Sequence, residues 1–314
     1  MHNIITMKKR YILVILIVFA GLFSKKGNAQ QDPQYTQYQY NLSVINPAYA
    51  GSKEHLSIGV LYRNQWTGFD GAPTTANLFG HLPVGNNVGI GLSAITDEIG
   101  PLTETNVYGD FSYTLRLDQD EKHKLAFGLK AGATFHNIGL AGLTLQDIED
   151  PAFSANNSEV LPNFGAGVFF YSDNYYVSLS IPNFIQGTFL DVNGVEFGTE
   201  EAHYFLTGGY VFDVSPTVKL KPSVLVKTSF NAPTSYDVNL NARFLDRFEI
   251  GASYRLDDSF SGLVNVQVLP WMHAGFAYDR VTSDIQAVAD SSFEGFLIFD
   301  IFPGSKPLQS PRFF

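Results

Sequence analysis

The chain has 314 residues, 45% hydrophobic and 14% aromatic, with 20 basic against 30 acidic residues and no cysteine. The absence of cysteine excludes disulfides, thiolate metal sites and cysteine nucleophiles. The acid excess excludes the basic patch that nucleic-acid recognition needs, so no nucleic-acid partner is expected.

In chain order, Lys8, Lys9 and Arg10 form a basic head before an apolar run over residues 11–23. A membrane-crossing helix needs about 20 apolar residues, so this run has the length of a signal-peptide core. Gly27 and Ala29 supply the small residues of a cleavage site, which predicts a signal peptide over residues 1–29 and a mature chain beginning near Gln30. Losing residues 1–29 removes five cations and no acid, leaving 15 basic against 30 acidic residues.

Residues 30–54 are rich in Gln, Tyr and Asn, and Pro33 and Pro47 oppose regular structure there. The expectation is a segment that folds into a lumen or across its periplasmic mouth, as a plug or a docking strap for a partner. Its candidate residues are Asp32, Pro33, Tyr35, Gln37, Tyr38, Asn46, Pro47, Tyr49 and Gly51.

From residue 55 to residue 302 the pattern has a period of two, bounded by Gly, Pro, Asn and Asp. Tyr236, Val238, Leu240, Ala242 and Phe244 fall on one face, opposite Asp237, Asn239, Asn241 and Arg243. Phe248, Ile250, Ala252, Tyr254 and Leu256 likewise oppose Glu249, Gly251, Ser253 and Arg255. About fourteen such segments are expected, at 55–67, 74–83, 87–96, 104–116, 123–136, 162–172, 174–182, 202–213, 217–230, 234–244, 246–256, 260–269, 271–280 and 292–302. Their even number, their length and the mixture of short turns with longer loops at 137–161 and 183–201 predict a transmembrane antiparallel β-barrel. The abundant aromatics suit interface girdles, with Phe169-Phe170-Tyr171 and Tyr175-Tyr176 as examples. A mean hydropathy near zero suits polar lumen residues offsetting lipid-facing ones. Residues 303–314 read as a C-terminal tail.

No catalytic constellation stands out. The seven histidines show no metal-ligand spacing. Gly89-Ile90-Gly91-Leu92-Ser93-Ala94 matches a loose dinucleotide pattern but lies within a strand rather than between a strand and a helix. Asp147, Glu149 and Asp150 in the 137–161 loop could ligate a hard cation but lack a known calcium-loop spacing. Lys219, Lys221 and Lys227 share a strand face and read as polar lumen filling. No cofactor and no enzymatic activity are expected.

Gln31-Asp32-Pro33-Gln34-Tyr35-Thr36-Gln37-Tyr38 and Asn46-Pro47-Ala48-Tyr49-Ala50-Gly51-Ser52 resemble the opening segments of the PorP/SprF family of type IX secretion system membrane proteins of Bacteroidota. The resemblance continues, in order, through Tyr62-Arg63-Asn64-Gln65-Trp66, Gly89-Ile90-Gly91, Phe127-Gly128-Leu129, Leu161-Pro162-Asn163-Phe164-Gly165, Gly275-Phe276-Ala277-Tyr278-Asp279 and Ser310-Pro311-Arg312-Phe313-Phe314. The last strand departs from it, with Glu294-Gly295-Phe296-Leu297 where the family has a Glu-Ile-Met-Leu-type pattern. The resemblance implies a non-enzymatic outer-membrane component of the secretion or gliding machinery, supporting export or surface attachment of cargo such as adhesins. The partners it implies are outer-membrane lipid, type IX subunits, a periplasmic peptidoglycan-associated protein and a secreted adhesin or cargo domain. A passive or substrate-specific porin is the alternative.

Overall fold

A computed structural model describes residues 34–302 apart from 69, 140–156, 186, 193–194, 231 and 290. The signal peptide over 1–29, Asp32 and Pro33, the acidic trio Asp147, Glu149 and Asp150, and the 303–314 tail lie outside the described residues.

The alternating segments form strands β1 (Leu56–Asn64), β2 (Thr74–Val84), β3 (Val88–Ile99), β4 (Leu102–Arg116), β5 (Lys124–Ile138), β6 (Asn157–Tyr171) and β7 (Tyr175–Ile181). A small hairpin of β8 (Gly187–Val192) and β9 (Val195–Glu200) precedes β10 (Tyr204–Tyr210) and β11 (Phe212–Ser215). The wall then continues with β12 (Val218–Thr228), β13 (Ser235–Phe244), β14 (Phe248–Arg255), β15 (Ser259–Leu269), β16 (Met272–Val281) and β17 (Ser291–Ile301). Every neighbouring pair is antiparallel, and β1 pairs with β17 from Leu56↔Ile301 to Asn64↔Phe293, which closes the ring. β10 and β11 act as one wall strand interrupted at Val211, since both pair with β12. Fourteen strands therefore close the barrel, as the alternation predicts.

Burial along each strand is inverted relative to a soluble sheet. Asp237, Asn239 and Asn241 of β13 are buried, whereas Val238 and Leu240 between them are 56% and 53% exposed. Glu249, Ser253 and Arg255 of β14 face inward while Phe248 and Ile250 face outward. Polar-in and apolar-out is what lipid around a closed barrel demands, because the outer face meets hydrocarbon and the lumen does not.

Three local expectations are corrected. β6 begins at Asn157, five residues before Pro162, and pairs with β5 down to Ile138↔Asn157. Pro162 is tolerated because β7 joins only from Ala166, so the strand is an edge where the missing N–H would have pointed. Residues 183–201, read as loop, carry the β8–β9 hairpin; the sequence signal is Asn193-Gly194 between two short β-prone runs. Of the presumed girdle aromatics, Phe169, Tyr171 and Tyr176 are buried inside the barrel. Period two sends only Phe170 and Tyr175 outward, where Tyr175 stacks on Tyr210 at 6.3 Å.

The wall's two ends differ. The connections 85–87, 172–174, 216–217, 245–247 and 270–271 are short and share one end with Leu56 and Ile301, where the barrel wall starts and finishes. The connections 65–73, 139–156, 182–203 and 282–290 are longer and share the other end. The seven-residue connection 117–123 also lies at the first end, and the short connections 100–101 and 256–258 lie at the long-loop end.

Candidate functional site

The centre of the barrel is filled by residues 34–54. Turns and short helical stretches over Tyr38–Tyr40, Leu42–Ile45 and Pro47–Tyr49 replace extended chain there. Tyr38, Leu42, Ile45, Ala48 and Tyr49 are each at most 4% exposed and form one cluster with the wall residues Phe79, Tyr108, Phe169, Phe205 and Phe296.

At the long-loop end, Gln34 Oε1 accepts from Arg255 Nη1 at 3.0 Å, and the Tyr35 carbonyl accepts from Arg255 Nη2 at 3.3 Å. Arg255 itself grips Asp237 through two bonds of 2.8 and 2.9 Å. The Tyr35 hydroxyl donates to Asn77 Oδ1 at 3.3 Å. The Thr36 and Gln37 backbone N–H groups donate to the two carboxylate oxygens of Glu294, each at 2.8 Å. The Thr36 hydroxyl donates to Asp279 at 2.7 Å and accepts from Arg63 Nη1 at 2.9 Å. Arg63 closes the group with ion pairs to Asp279 at 2.8 Å and Glu294 at 3.1 Å. All three charged side chains are at most 2% exposed, so their mutual pairing and the donated N–H groups offset a large desolvation cost.

Midway, the Tyr38 hydroxyl donates to Ser223 at 3.2 Å and accepts from Asn239 Nδ2 at 3.1 Å. Tyr40 bonds Glu249, stacks on Phe296 at 4.7 Å, and lies under the Lys221 ammonium at 5.6 Å. Of the remaining lysines flagged in the sequence, Lys219 pairs with Asp246 at 2.9 Å and Lys227 is buried over the Phe205 ring.

The Asn46–Gly51 turn is seated in a niche of wall glycines. Asn46 Oδ1 accepts from the Ala48 N–H at 2.9 Å, capping the turn that Pro47 starts. Asn46 Nδ2 donates to Ser178 Oγ at 2.7 Å and to the Val168 carbonyl at 3.1 Å. Ser112 and Ser180 donate to the Ala50 and Ile45 carbonyls at 2.7 and 3.0 Å. Tyr49 stands edge-on to His81 and Phe169, each at 5.3 Å. A methyl group on Gly167 would lie 2.0 Å from Asn46 Oδ1, on Gly128 2.1 Å from the Ala48 nitrogen, and on Gly89 2.1 Å from the Ala50 oxygen. Gly51 adopts a positive φ of 73° and donates its N–H to His81 Nδ1 at 3.2 Å. The foot of the segment reaches the short-turn end, where Lys53 meets Asp300 at 3.5 Å and Glu54 meets Lys124 at 2.7 Å. The nearby β4–β5 turn is charged, and hydrogen bonds from His123 hold the Asp118 carboxyl below its ordinary value.

Among the sequence candidates, Tyr35, Gln37, Tyr38, Asn46, Pro47, Tyr49 and Gly51 all lie in this lumen segment. Sequence reasoning named Arg63, Asp279, Glu294, Asp237, Arg255, Glu249, Gly89 and Gly128 only as strand-face or motif positions and did not identify them as partners of this segment. Alternation places the charged ones on the inward face, yet which pairs meet depends on strand order around the ring.

Fold and interior together define an outer-membrane β-barrel whose lumen is occupied by its own N-terminal segment. Residues 27–299 match the family model of the type IX secretion system membrane protein PorP/SprF. The chain belongs to that family and is a membrane component of type IX secretion, located in the outer membrane. No curated protein matches it. Among solved structures, the CymD monoaromatic hydrocarbon channel is similar, with 11% identity over 82% of this chain and 92% of that one and a TM-score of 0.53. Omp33 of Acinetobacter baumannii follows at 9% identity, 80% and 100% coverage and TM-score 0.47. A FadL homologue of Pseudomonas aeruginosa gives 10% identity, 82% and 92% coverage and TM-score 0.45. At these identities the likeness to CymD speaks for the barrel fold alone.

Proposed function

We propose that the protein is a plugged, non-enzymatic barrel that holds partners of the type IX apparatus rather than conducting solutes. It supports export or surface attachment of a cargo domain such as an adhesin. Residues 1–29 act as its export leader and residues 30–54 as its plug. The long loops are the face offered to cargo, and the charged β4–β5 connection at the opposite end, Asp118 to His123, is offered to a periplasmic peptidoglycan-associated protein. The observation that carries this reading is the seating of residues 34–54, whose backbone and side chains are hydrogen-bonded to β1, β4, β6, β7, β12, β13, β14, β16 and β17. A segment held on so many strands suits a permanent plug better than a loosely tethered one.

The test is purification from detergent-solubilised outer membrane, followed by planar-bilayer recording. Type IX subunits or a large surface protein should accompany the barrel, and the purified barrel should conduct little. A partner-free barrel that conducts on its own would replace this reading with that of a porin.

A further inference from the structure

Alternation along the strands accounts for which side chains meet lipid, but not for the relief of that outer face. At the closing seam a groove of about 810 Å3 runs across β16, β17, β1, β2 and β3. Its walls are the outward-facing Val60, Tyr62, Leu78, Phe276, Phe293 and Leu297. Gly295 lies at its floor, in register with Tyr62 on one side and Phe276 on the other. A methyl group on Gly295 would meet nothing nearer than the Gly275 carbonyl at 3.8 Å, so neither flanking ring folds over the hollow. The Phe276 ring instead stands 6.1 Å from Phe293, which stands 5.3 Å from Tyr278. Ala76, paired with Tyr62, and Ala94, paired with Leu78, carry the depression onto β2 and β3.

We propose that this groove binds one acyl chain of an outer-leaflet membrane lipid, held across the seam where the first and last wall strands meet. The chemistry of the groove favours a chain over a protein partner. Among the described residues, none of the outward-facing ones that line it is charged, since Glu294 turns inward to Arg63 and to the Thr36 and Gln37 N–H groups. The strand edges here are already paired, which leaves no backbone row for an added strand. Lipid tails surround this face at bulk concentration, whereas no hydrophobic force drives protein elements together within a bilayer. At about 30 Å3 for each water-sized group, the groove has room for a chain of ordinary length. Gly295 and Tyr62 lie in the half of the wall nearer Ser291 and Asn64, the long-loop ends of β17 and β1. Longer loops face outward in outer-membrane barrels, so the chain enters from the outer leaflet. The proposal rests on the protein's place in the outer membrane and not on the plug or on any cargo.

Gly295→Phe fills the hollow from outside the lumen. Gly262→Phe, on the outward face of β15, is the control, since a methyl there meets nothing within 4 Å. Both variants and the native chain are stripped of lipid in detergent, titrated with palmitoyl-oleoyl phosphatidylethanolamine and read by native mass spectrometry. The native chain and Gly262→Phe should each retain one lipid per barrel, and Gly295→Phe should lose that adduct while melting like the other two. Should Gly295→Phe not fold, Ala76→Phe, which narrows the groove from β2, must show the same loss. Equal lipid occupancy in variant, control and native chain overturns the proposal, as does a native chain that retains no lipid. A native chain that dimerises while Gly295→Phe stays monomeric also overturns it, because the groove would then join two copies.

Discussion

Gly128→Ala offers the sharpest test of how the lumen segment is held. The added methyl would stand 2.1 Å from the Ala48 nitrogen, 2.4 Å from the Pro47 carbonyl carbon and 2.5 Å from the Ala48 Cα. All three are backbone atoms, so no rotamer change relieves the clash. Ordinary contact lies near 3.5 Å, so the Asn46–Ala50 turn must withdraw by about 1.5 Å. That displacement takes Asn46 Nδ2 beyond bonding distance of Ser178 Oγ and the Val168 carbonyl, now at 2.7 and 3.1 Å. Overpacking costs about 1–3 kcal/mol and each lost bond about 1 kcal/mol, for about 3–5 kcal/mol against the seated turn. At 1.4 kcal/mol per factor of ten, the balance moves by roughly two to three and a half powers of ten. The wall survives, because Gly128 pairs with Ser112 and Gly167 through its backbone alone. Gly109→Ala on β4 is the control, since its methyl would meet nothing closer than 3.9 Å. Planar-bilayer recordings should show larger or more frequent openings for Gly128→Ala, and detergent melts a lower Tm. Conductance and melting indistinguishable from Gly109→Ala would refute the argument that close fit seats the turn.

Further outcomes follow from the buried charges and from the outer face. Arg63→Met leaves Asp279 and Glu294 buried side by side without their cation and should destabilise the barrel by about 3–5 kcal/mol. Glu294→Gln should cost less, because Arg63 keeps Asp279 as a partner; detergent melts giving the reverse order would contradict the assignment of Arg63 as the hub. Leu240→Arg, on the exposed face near the middle of β13, should cost about 2–4 kcal/mol when folding is measured in lipid vesicles. The same change should matter far less in a detergent whose belt adapts to the charge, and equal losses in both would argue that this face does not meet hydrocarbon.

The sequence makes the wall legible because each strand states its own face. Asp237, Asn239 and Asn241 against Val238 and Leu240 need no knowledge of any other strand to be read. Strand edges are less legible where pairing decides them. β6 continues past Pro162 because β5 is there to pair with it and β7 is not. The lumen segment is legible as irregular, tyrosine-rich and proline-interrupted, but not in its direction. That direction depends on Thr36 meeting Glu294 across 258 positions and Asn46 meeting Ser178 across 132, separations at which local pattern carries no information. Gly89 shows the same limit: inside a strand it reads as close packing, and only the ring reveals that its neighbour is the Ala50 carbonyl.

The inward face has two partners available to it, the lumen segment and water, and this sets what removing the segment would do. Ser180 and Ser223 bond Ile45 and Tyr38 through hydroxyls that water can equally serve. Arg63, Asp279 and Glu294 remain paired to one another without Thr36. The wall's backbone bonds run strand to strand around a closed ring and owe nothing to the interior. An apolar contact is lost at Phe296, on which Tyr40 stacks. Deleting residues 32–45 should therefore lower the melting temperature yet leave a folded, water-filled barrel that conducts small solutes. Loss of the folded barrel itself would mean that the segment is a core the wall cannot close without, and that its role is structural before it is a plug.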